Sequence, residues 1–429
     1  MLVWSGHLKI SGLCRSNTIG IHALQVNWPY SPGTRGSPLQ YTLTRHELDE
    51  ISAGFDSNPL KSSSINTRAY TDPKFHLIEQ QSVFRNSWQF VCHEEKLRDN
   101  HSYVVTDAQG ASILVVRDGE GELRAFYNVC KHRGHELMSG EGNVRLITCP
   151  YHAWTYNLDG QLRGARRSEH LLDFNMDEIC LDQVQVETFC HLVFINLDPD
   201  AASLKEQSGE LGNEIMSYAA DLPQLTYAHT LTYRIKANWK AVVDNFLECY
   251  HCPVAHKDFC SLVDMSTYKV TTHGIYSSHM ASAGTTGNNA YSTEDASVTV
   301  HAVWHLWPNT ALMRYPGRGN FMVWRFYPNG PDHTLEQFDF YFETSELQEA
   351  EVEAIKFIDE VLQPEDIGLV ESVQRGMLTP AFRQGRYLVD PENSGMSEHA
   401  VHHFHANLLN AYQSALATDG NNPTDDNNQ

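Results

Sequence analysis

Short apolar runs separated by turn signals fill the chain from about residue 88 to residue 197. They predict six strands, at 103–105, 112–116, 123–127, 145–148, 154–156 and 192–196. The dipeptides Asp118-Gly119 and Asp159-Gly160 accept positive φ in tight hairpins and mark two of the turns. This part of the chain is therefore predicted to be a small antiparallel β domain.

After residue 200 the apolar positions change to helical spacing. Helices are predicted near 203–220, 239–250, 346–362, 365–378 and 398–416, around a strand-rich block at 298–343. A Ser345-x-x-Gln348 capping box and the series Val352, Ile355, Ile358 and Leu362 support the helix at 346–362. The two patterns together predict an α+β protein of two domains, which a length of 429 residues also suggests.

Charge and cysteine content narrow the environment of the protein. The formal net charge of −22 argues against nucleic acid or an anionic membrane surface as a partner. No apolar run has the length needed to span a bilayer. The nine cysteines are an odd number, and several lie in metal motifs, which favours a reducing, cytoplasmic location over a disulfide framework.

The two ends of the chain differ from the rest in composition. Residues 1–46 contain no Asp or Glu but hold Lys9, Arg15, Arg35 and Arg45. A leader at 1–40 is therefore expected, either an organellar transit peptide or sequence upstream of a misassigned start, and both interpretations stay open. Residues 418–429 are rich in Asn and Asp, lack apolar side chains and are predicted to be a disordered tail.

Two pairs of metal-ligand residues lie in the β domain. Cys130 and His132 form the first pair, and Cys149 and His152 follow after sixteen intervening residues. A Rieske [2Fe–2S] cluster takes two Cys on one iron and two His on the other. Zinc is the alternative, but zinc fingers usually pair Cys with Cys and His with His, whereas each short loop here carries one of each.

A second constellation lies at 238–256. Asp244, Glu248 and His251 fall at i, i+4 and i+7, on one face of the predicted helix. Pro253 is expected to break that helix, so that His251 and His256 can face one ion. The alternative is a pair of buried, hydrogen-bonded histidines without a metal.

Two histidines and one carboxylate are the ligand set of non-haem Fe(II) oxygenases. The residues alone do not decide which carboxylate completes the set, since Asp244, Glu248, Glu365 and Asp366 are all candidates.

At these motifs the chain resembles the Rieske non-haem iron oxygenases. The matching stretches include Cys130-Lys131-His132-Arg133-Gly134, Cys149-Pro150-Tyr151-His152-Ala153-Trp154, the 238–256 segment, and Pro364-Glu365-Asp366 with Val370-Glu371-Ser372. Family members commonly have Pro where this chain has Lys131, which is expected to be a solvated side chain without a functional effect.

The resemblance implies domains and a site. A Rieske domain is expected at 85–199, and a catalytic domain with an antiparallel sheet surrounded by helices at 200–417, to which the segment 41–84 belongs. Asp366 is implied as the third ligand of a mononuclear Fe(II), beside His251 and His256.

Glu248 and Asp244 are the candidate catalytic residues. In the family, an acidic residue at the position of Glu248 links the cluster of one subunit to the iron of its neighbour in a ring-shaped trimer. Glu at that position is typical of the branch that acts on quaternary ammonium compounds. The alternative is a helix-surface Glu.

The resemblance covers roughly residues 60–416 and is closest to the oxygenase subunits of carnitine monooxygenases. It implies an O₂-dependent monooxygenase that receives electrons from NAD(P)H through a separate flavin/iron–sulfur reductase. It would hydroxylate the carbon next to the nitrogen, converting carnitine to trimethylamine and malic semialdehyde. Glycine betaine, choline and proline betaine are alternative substrates. A Rieske electron carrier is a remote alternative, since it needs only the 85–199 region.

A quaternary ammonium group cannot donate a hydrogen bond, so aromatic faces are the expected recognition device. The strand block offers seven aromatic residues, most of which are expected to be core: Trp304, Trp307, Tyr315, Phe321, Trp324, Phe326 and Tyr327. Arg314, Arg318 and Arg325 are candidates to pair with a substrate carboxylate.

Overall fold

The computed structural model describes residues 41–284, 289–294 and 296–419. The predicted leader at 1–40 and residues 420–429 of the predicted tail lie outside these ranges. The last helix, His399–Asp419, extends past the predicted tail boundary at residue 418. Within the described ranges, no helix has both the length and the apolar character that crossing a membrane requires.

Three short helices open the described chain: α1 Arg45–Ile51, α2 Arg68–Thr71 and α3 Pro73–Ser82. The first is closed by a capping box, in which Thr44 Oγ1 accepts the Glu47 N–H at 3.2 Å and the Glu47 carboxylate accepts the Thr44 N–H at 3.0 Å. Leu48 and Phe75 are buried in the core of the larger domain. This N-terminal segment therefore packs with the C-terminal half of the chain.

Ten strands form the β domain. They are β1 Gln89–His93, β2 Ser102–Ala108, β3 Ala111–Arg117, β4 Leu123–Tyr127, β5 Glu141–Asn143, β6 Ile147–Thr148, β7 Thr155–Tyr156, β8 Leu162–Gly164, β9 Gln183–Phe189 and β10 Leu192–Asn196. Seven make an antiparallel sheet in the order β1-β10-β9-β4-β3-β2-β5, and β6-β7-β8 make a small second sheet. Short 3₁₀ turns lie at Phe84–Asn86, Glu94–Leu97 and Met176–Glu178.

All six strands predicted in this domain are present, and four further ones, β1, β5, β8 and β9, were not predicted. One predicted turn is correct, because Gly160 has φ +89° and a Cβ there would lie 2.6 Å from the Phe126 ring. The prediction for Gly119 is wrong. The left-handed residue of that turn is Gly121, because Asp118 Oδ1 accepts the N–H groups of Glu120 and Glu122 and widens the loop.

The larger domain contains the remaining strands and helices. They are α4 Leu204–Ser208, α5 Leu211–Tyr218, a 3₁₀ turn Leu222–Gln224, β11 Thr226–Ile235, α6 Trp239–Phe246, α7 Cys252–Ala255, α8 Phe259–Leu262, β12 Lys269–His273, β13 Tyr276–Ser282, β14 Val300–Leu306, β15 Thr310–Arg314, β16 Asn320–Pro328, β17 Thr334–Phe342, α9 Glu349–Phe357, a π turn Ile358–Leu362, α10 Gln363–Met377 and α11 His399–Asp419. Its antiparallel sheet has the order β11-β17-β16-β15-β14-β13-β12. The α+β prediction is confirmed.

Both faces of this sheet are buried, and β16 shows how. Met322, Trp324 and Phe326 pack into the core beneath the helices. Phe321 and Val323 point to the opposite face, where their core includes apolar residues of β1 and β10. One face of the sheet therefore packs against α6, α9, α10 and α11, and the other packs against the β domain together with α4 and α5.

The helices at the C-terminal end of the sheet differ from the prediction in two details. The N-cap of α9 is Gln348, whose N–H is accepted by Glu351 Oε2 at 2.7 Å, so the predicted cap at Ser345 is wrong. The segments predicted as two helices, 346–362 and 365–378, form one continuous rod through the π turn. Pro364 lies just after the π turn, in the first turn of α10. It has no N–H to donate, and its ring crowds the preceding turn, so α-helical hydrogen bonding is disturbed at this point.

Candidate functional site

Two loops of the β domain have the same backbone hydrogen bonds. The Cys130 N–H bonds to the His135 carbonyl at 2.8 Å, and the Cys149 N–H bonds to the Trp154 carbonyl at the same distance. Each cysteine carbonyl accepts an N–H four residues on, from Gly134 or Ala153, at 3.0 Å. Gly134 and Ala153 both have positive φ. The two tight loops therefore present their Cys and His side chains as a matched pair.

The four side chains have opposite environments at the two ends of the site. Cys130 and Cys149 are buried, whereas His132 is exposed and His152 half-buried. The two imidazole rings lie 4.7 Å apart, and His132 stacks on Trp154 at 4.8 Å. This set fits a [2Fe–2S] cluster with its thiolate-bound iron inside and its imidazole-bound iron at the surface.

A buried tyrosine and a surface ion pair contact the first of these loops. Tyr156 is fully buried, its hydroxyl lies 3.3 Å from Cys130 Sγ, and it accepts the Lys131 N–H at 3.0 Å. Sequence reasoning missed this tyrosine, whose only signal is its place two residues after Trp154. Lys131 is exposed, as expected, and its side chain also forms an ion pair with Asp182.

In the second constellation, the chain leaves the helix earlier than predicted. Helix α6 ends at Phe246, so Glu248 and His251 do not continue a helical face from Asp244. Pro253 lies in the first turn of α7 and begins that helix instead of breaking one. His251 is its N-cap and His256 its C-cap, so a single turn of helix separates the two imidazoles.

Three ligand atoms meet at one point. His251 Nε2 lies 3.1 Å from His256 Nε2, and Asp366 Oδ1 lies 2.9 Å from His256 Nε2 and 3.5 Å from His251 Nε2. Metal bonds of about 2.1 Å put neighbouring ligand atoms about 3.0 Å apart in an octahedron and about 3.4 Å apart in a tetrahedron. Two imidazoles and one carboxylate at this spacing fit one Fe(II) ion.

A carboxylate orients each imidazole from behind. Glu248 Oε1 lies 2.6 Å from His251 Nδ1, and Glu365 Oε2 lies 2.8 Å from His256 Nδ1. Both arrangements place the proton on Nδ1 and leave Nε2 to face a metal. Glu365 thus holds the far side of the His256 ring, and of these two neighbouring carboxylates only Asp366 reaches the ligand point, the place where the two Nε2 atoms and Asp366 Oδ1 meet.

The electrostatics of the triad favour a cation. Burial alone lowers the pKa of His251, but hydrogen bonds to Asp366 and Glu248 raise it to about 9. Burial raises the pKa of Asp366, but the bonds from His251 and His256 leave it below its ordinary value. The three side chains together therefore favour a positive charge at the point where their ligand atoms meet, which a metal ion would supply.

Asp244 lies apart from the triad. Its Oδ2 accepts the Tyr70 hydroxyl at 2.6 Å, and its Oδ1 lies 2.9 Å from His405 Nε2. His405 Nδ1 in turn lies 2.5 Å from the Tyr387 hydroxyl. The structure gives Asp244 the contacts of a residue that positions α6 and no contact with the ligand point.

A cavity opens beside the triad. Its wall includes four aromatic side chains, Phe246, Phe259, Tyr268 and Trp324, together with His279, His301 and Glu336. Burial lowers the pKa of His279 to about 3 and that of His301 to about 4, so both are neutral near pH 7. No Lys or Arg is found on this wall in the described part of the chain.

Of the residues proposed from the sequence for substrate binding, some line the cavity and others lie away from it. Of the seven aromatic candidates, all within the described ranges, Trp324 lines the cavity, while Trp304 and Phe321 pack on the opposite face of the sheet. The arginine candidates are wrong for the cavity wall. Arg314 pairs with Asp221 and Arg325 with Asp339, each at 2.5 Å, and Arg318 is exposed outside it.

Cys249 and Cys252 are joined by a disulfide. At this pair the expectation of reduced cysteines is wrong. The six other cysteines in the described ranges are free. The described residues therefore contain one local disulfide and no wider disulfide framework.

Two family models match the chain on either side of its domain junction. The Rieske [2Fe-2S] domain matches residues 87–176. The catalytic domain of the ring hydroxylating alpha subunit matches residues 222–414. These models cover the cluster loops and the triad, respectively.

Curated relatives and a solved structure extend the match to most of the chain. The carnitine monooxygenase oxygenase subunit of Escherichia coli K12 is 40% identical over 357 residues, which cover 83% of this chain and 95% of that protein. The chloroplastic choline monooxygenase of Atriplex hortensis is 31% identical and is matched over 75% of its length by 78% of this chain. A solved quaternary ammonium Rieske monooxygenase, described for carnitine oxidation and inter-subunit electron transfer, is 32% identical. It matches with a TM-score of 0.79 over 87% of this chain and 99% of its own.

The first prediction separates the two metal sites. Cys149→Ala should abolish the visible absorption of the Rieske cluster and leave the mononuclear iron bound, because the sites share no ligand. Iron content and the visible spectrum of the purified protein measure this, with Cys190→Ala, which removes a thiol outside the cluster loops, as the control. Equal loss of both kinds of iron in a folded variant would contradict the two-site assignment.

The second prediction ranks the two neighbouring carboxylates of α10. Asp366→Ala should lose the mononuclear iron and keep the Rieske spectrum, whereas Glu365→Gln should weaken iron binding only by about 10- to 100-fold. Iron titration of the depleted protein measures both, and Glu360→Ala, an exposed carboxylate on the same rod, is the control. A larger loss in the Glu365 variant than in the Asp366 variant would reverse the assignment.

Proposed function

This chain belongs to the Rieske-type ring-hydroxylating oxygenase alpha subunits, and we propose that it is the oxygenase component of a monooxygenase acting on carnitine. Membership makes it an oxidoreductase that uses a Rieske [2Fe–2S] cluster and a mononuclear iron. The observation that supports a cationic substrate is the aromatic cavity wall beside the triad, which has no Lys or Arg among the described residues. Such a wall suits a cation that cannot donate a hydrogen bond.

We further propose roles for the site residues. Cys130, His132, Cys149 and His152 would hold the cluster, and His251, His256 and Asp366 would hold the iron. When bound, the two centres supply electrons and oxygen activation for hydroxylation of the carbon next to the substrate nitrogen. The resulting adduct breaks its C–N bond, which with carnitine gives trimethylamine and malic semialdehyde.

The protein's own side chains prepare this chemistry. Glu248 and Glu365 hold both imidazoles in the tautomer that presents Nε2. Phe246 and Trp324 exclude water from one side of the cavity, with their rings 4.8 Å apart in an edge-to-face contact. His279 and His301 are neutral and line the same cavity, and we assign them to the hydroxyl and carboxylate end of carnitine, since His301 Nδ1 has no hydrogen-bond partner among the described residues.

The choice of carnitine within the quaternary ammonium compounds rests on likeness. The Escherichia coli relative carries that name at 40% identity, whereas the choline monooxygenase is 31% identical. Choline is the second candidate. It has no carboxylate to pair, and the described cavity wall has no Lys or Arg that would require one.

We infer that electrons cross between subunits through Glu248. Its side chain is 13% exposed and bonds to His251, while His132 lies at the surface of the β domain, where a neighbouring copy can reach it. A homotrimer, a separate flavin/iron–sulfur reductase that oxidises NAD(P)H, and a cytoplasmic location complete the proposal.

The third prediction tests Glu248. Assayed with iron in excess, which offsets any weakening of iron binding at His251, Glu248→Ala should hold both metals and bind substrate but slow reoxidation of the reduced cluster by about 10- to 100-fold, because the link to His251 is removed. Rapid mixing of the reduced protein with oxygen and carnitine measures this rate. Glu248→Asp, which keeps the carboxylate, should recover part of it. Reoxidation of the alanine variant at the parent rate would contradict the proposed role.

The fourth prediction tests the substrate. With a reductase, NAD(P)H and oxygen, the protein should release trimethylamine from carnitine faster than it oxidises choline or demethylates glycine betaine, and none of these should proceed anaerobically. The compounds share their cationic head, so the difference must come from groups beyond it, where a correctly paired hydroxyl discriminates strongly. Formaldehyde from glycine betaine without trimethylamine from carnitine would reassign the substrate and leave the metal sites unchanged.

A further inference from the structure

Glu336 is a buried carboxyl group on the cavity wall that the chemistry described above does not use. It lies on β17, is 2% exposed, and lines the same cavity as His251, His256 and Asp366. Its Oε1 accepts the Trp324 indole N–H at 2.8 Å. Its Oε2 has no hydrogen-bond partner among the described residues. A buried, unpaired carboxyl oxygen is costly, which is typical of a position completed by a ligand.

Among the described residues, no lysine or arginine shares the cavity wall with Glu336. His279 and His301 on that wall are kept neutral by burial. Burial raises the pKa of Glu336 well above its ordinary value, and the charge of Asp366 adds to that rise against the bond from Trp324. Burial therefore favours the neutral acid in the free cavity, whereas a cation bound beside it favours the carboxylate. Glu336 and the iron-ligand candidate Asp366 line the same cavity.

The Trp324 ring is coupled to this carboxyl group. Its N–H is directed to Glu336 Oε1, and such a bond polarises the indole and makes its face more negative. The ring is only 7% exposed and packs edge-to-face against Phe246. An electron-rich indole face next to an unpaired carboxyl oxygen is a site for a cation that brings no hydrogen-bond donors.

We propose that Glu336 is the counter-ion of the substrate's quaternary ammonium group and makes the cavity selective for the charge of that group as well as for its shape. This rests on the proposed function, in which the substrate is a quaternary ammonium compound. A trimethylammonium group spreads its charge over its methyl groups, so a carboxylate oxygen can pair with it without a directed hydrogen bond. The same oxygen penalises a neutral head of equal size, because it then stays buried and unpaired.

The fifth prediction compares two ligands that differ only in charge. The holoenzyme is titrated anaerobically with L-carnitine and with its neutral isostere, in which carbon replaces the quaternary nitrogen. The parent should bind carnitine about 10- to 100-fold more tightly than the isostere. Glu336→Gln keeps the size and the acceptor for Trp324, and it should remove most of this preference by weakening carnitine alone.

Glu343→Gln is the matched control, because it removes an exposed carboxylate just past the end of the same strand. It should preserve the preference. Glu336→Asp, which keeps the charge, should retain part of it. Equal weakening of both ligands in Glu336→Gln would assign the residue to cavity shape and overturn the proposal, as would an unchanged carnitine affinity.

The titration of the parent protein keeps the proposal open to refutation even if the variants fail to fold. Equal affinity of the parent for carnitine and the neutral isostere overturns the role of Glu336 and leaves the proposed function standing. A parent with both metal sites loaded that binds neither carnitine nor choline overturns the proposed function and this inference together.

Discussion

The meeting of His251 Nε2, His256 Nε2 and Asp366 Oδ1 within 3.5 Å is the interaction on which the rest of the structure depends. The histidines lie at the two ends of a single helical turn, while the aspartate comes from a rod more than a hundred residues later. Three electron-rich atoms so close repel one another unless a cation or protons lie between them. The fold therefore has to hold α7 and the rod that carries Asp366 rigidly against each other, and a bound metal ion would stabilise the folded state.

Two buried polar networks hold the first of these elements. Lys240 and Glu79 are both fully buried and form an ion pair at 2.7 Å, and Glu79 also accepts the Trp239 indole N–H at 2.7 Å. Together they fasten the start of α6 to α3, and the Tyr412 hydroxyl adds α11. Asp244 fastens the end of α6 through Tyr70 and His405. The chain thus leaves α6 at Phe246 in a set direction, and the loop that carries Glu248 and His251 begins from a fixed point.

Local signals in the sequence were enough for some features and not for others. The alternation of Cys and His in two short loops identified Cys130, His132, Cys149 and His152, because those ligands depend on neighbours in the chain. The residues did not separate Asp366 from Glu365 or Asp244, since that choice depends on which carboxylate the rod points at His256. Trp324 could not be told from Trp304 or Phe321, because the assignment of sheet faces follows from packing against the β domain. The early end of α6 was missed because the apolar spacing continues past Phe246, while Glu248 accepts the N–H of His251 at 3.2 Å and turns the backbone into α7.

We propose that a cation cavity lies directly against a mononuclear iron site. A crystal structure of the iron-loaded protein with carnitine, with anomalous scattering recorded at the iron edge, tests it most directly. We expect an iron peak bonded to His251, His256 and Asp366, with the trimethylammonium group of carnitine beside Trp324 and Glu336. An iron peak away from the triad, or carnitine bound with its carboxylate toward Glu336, would contradict it.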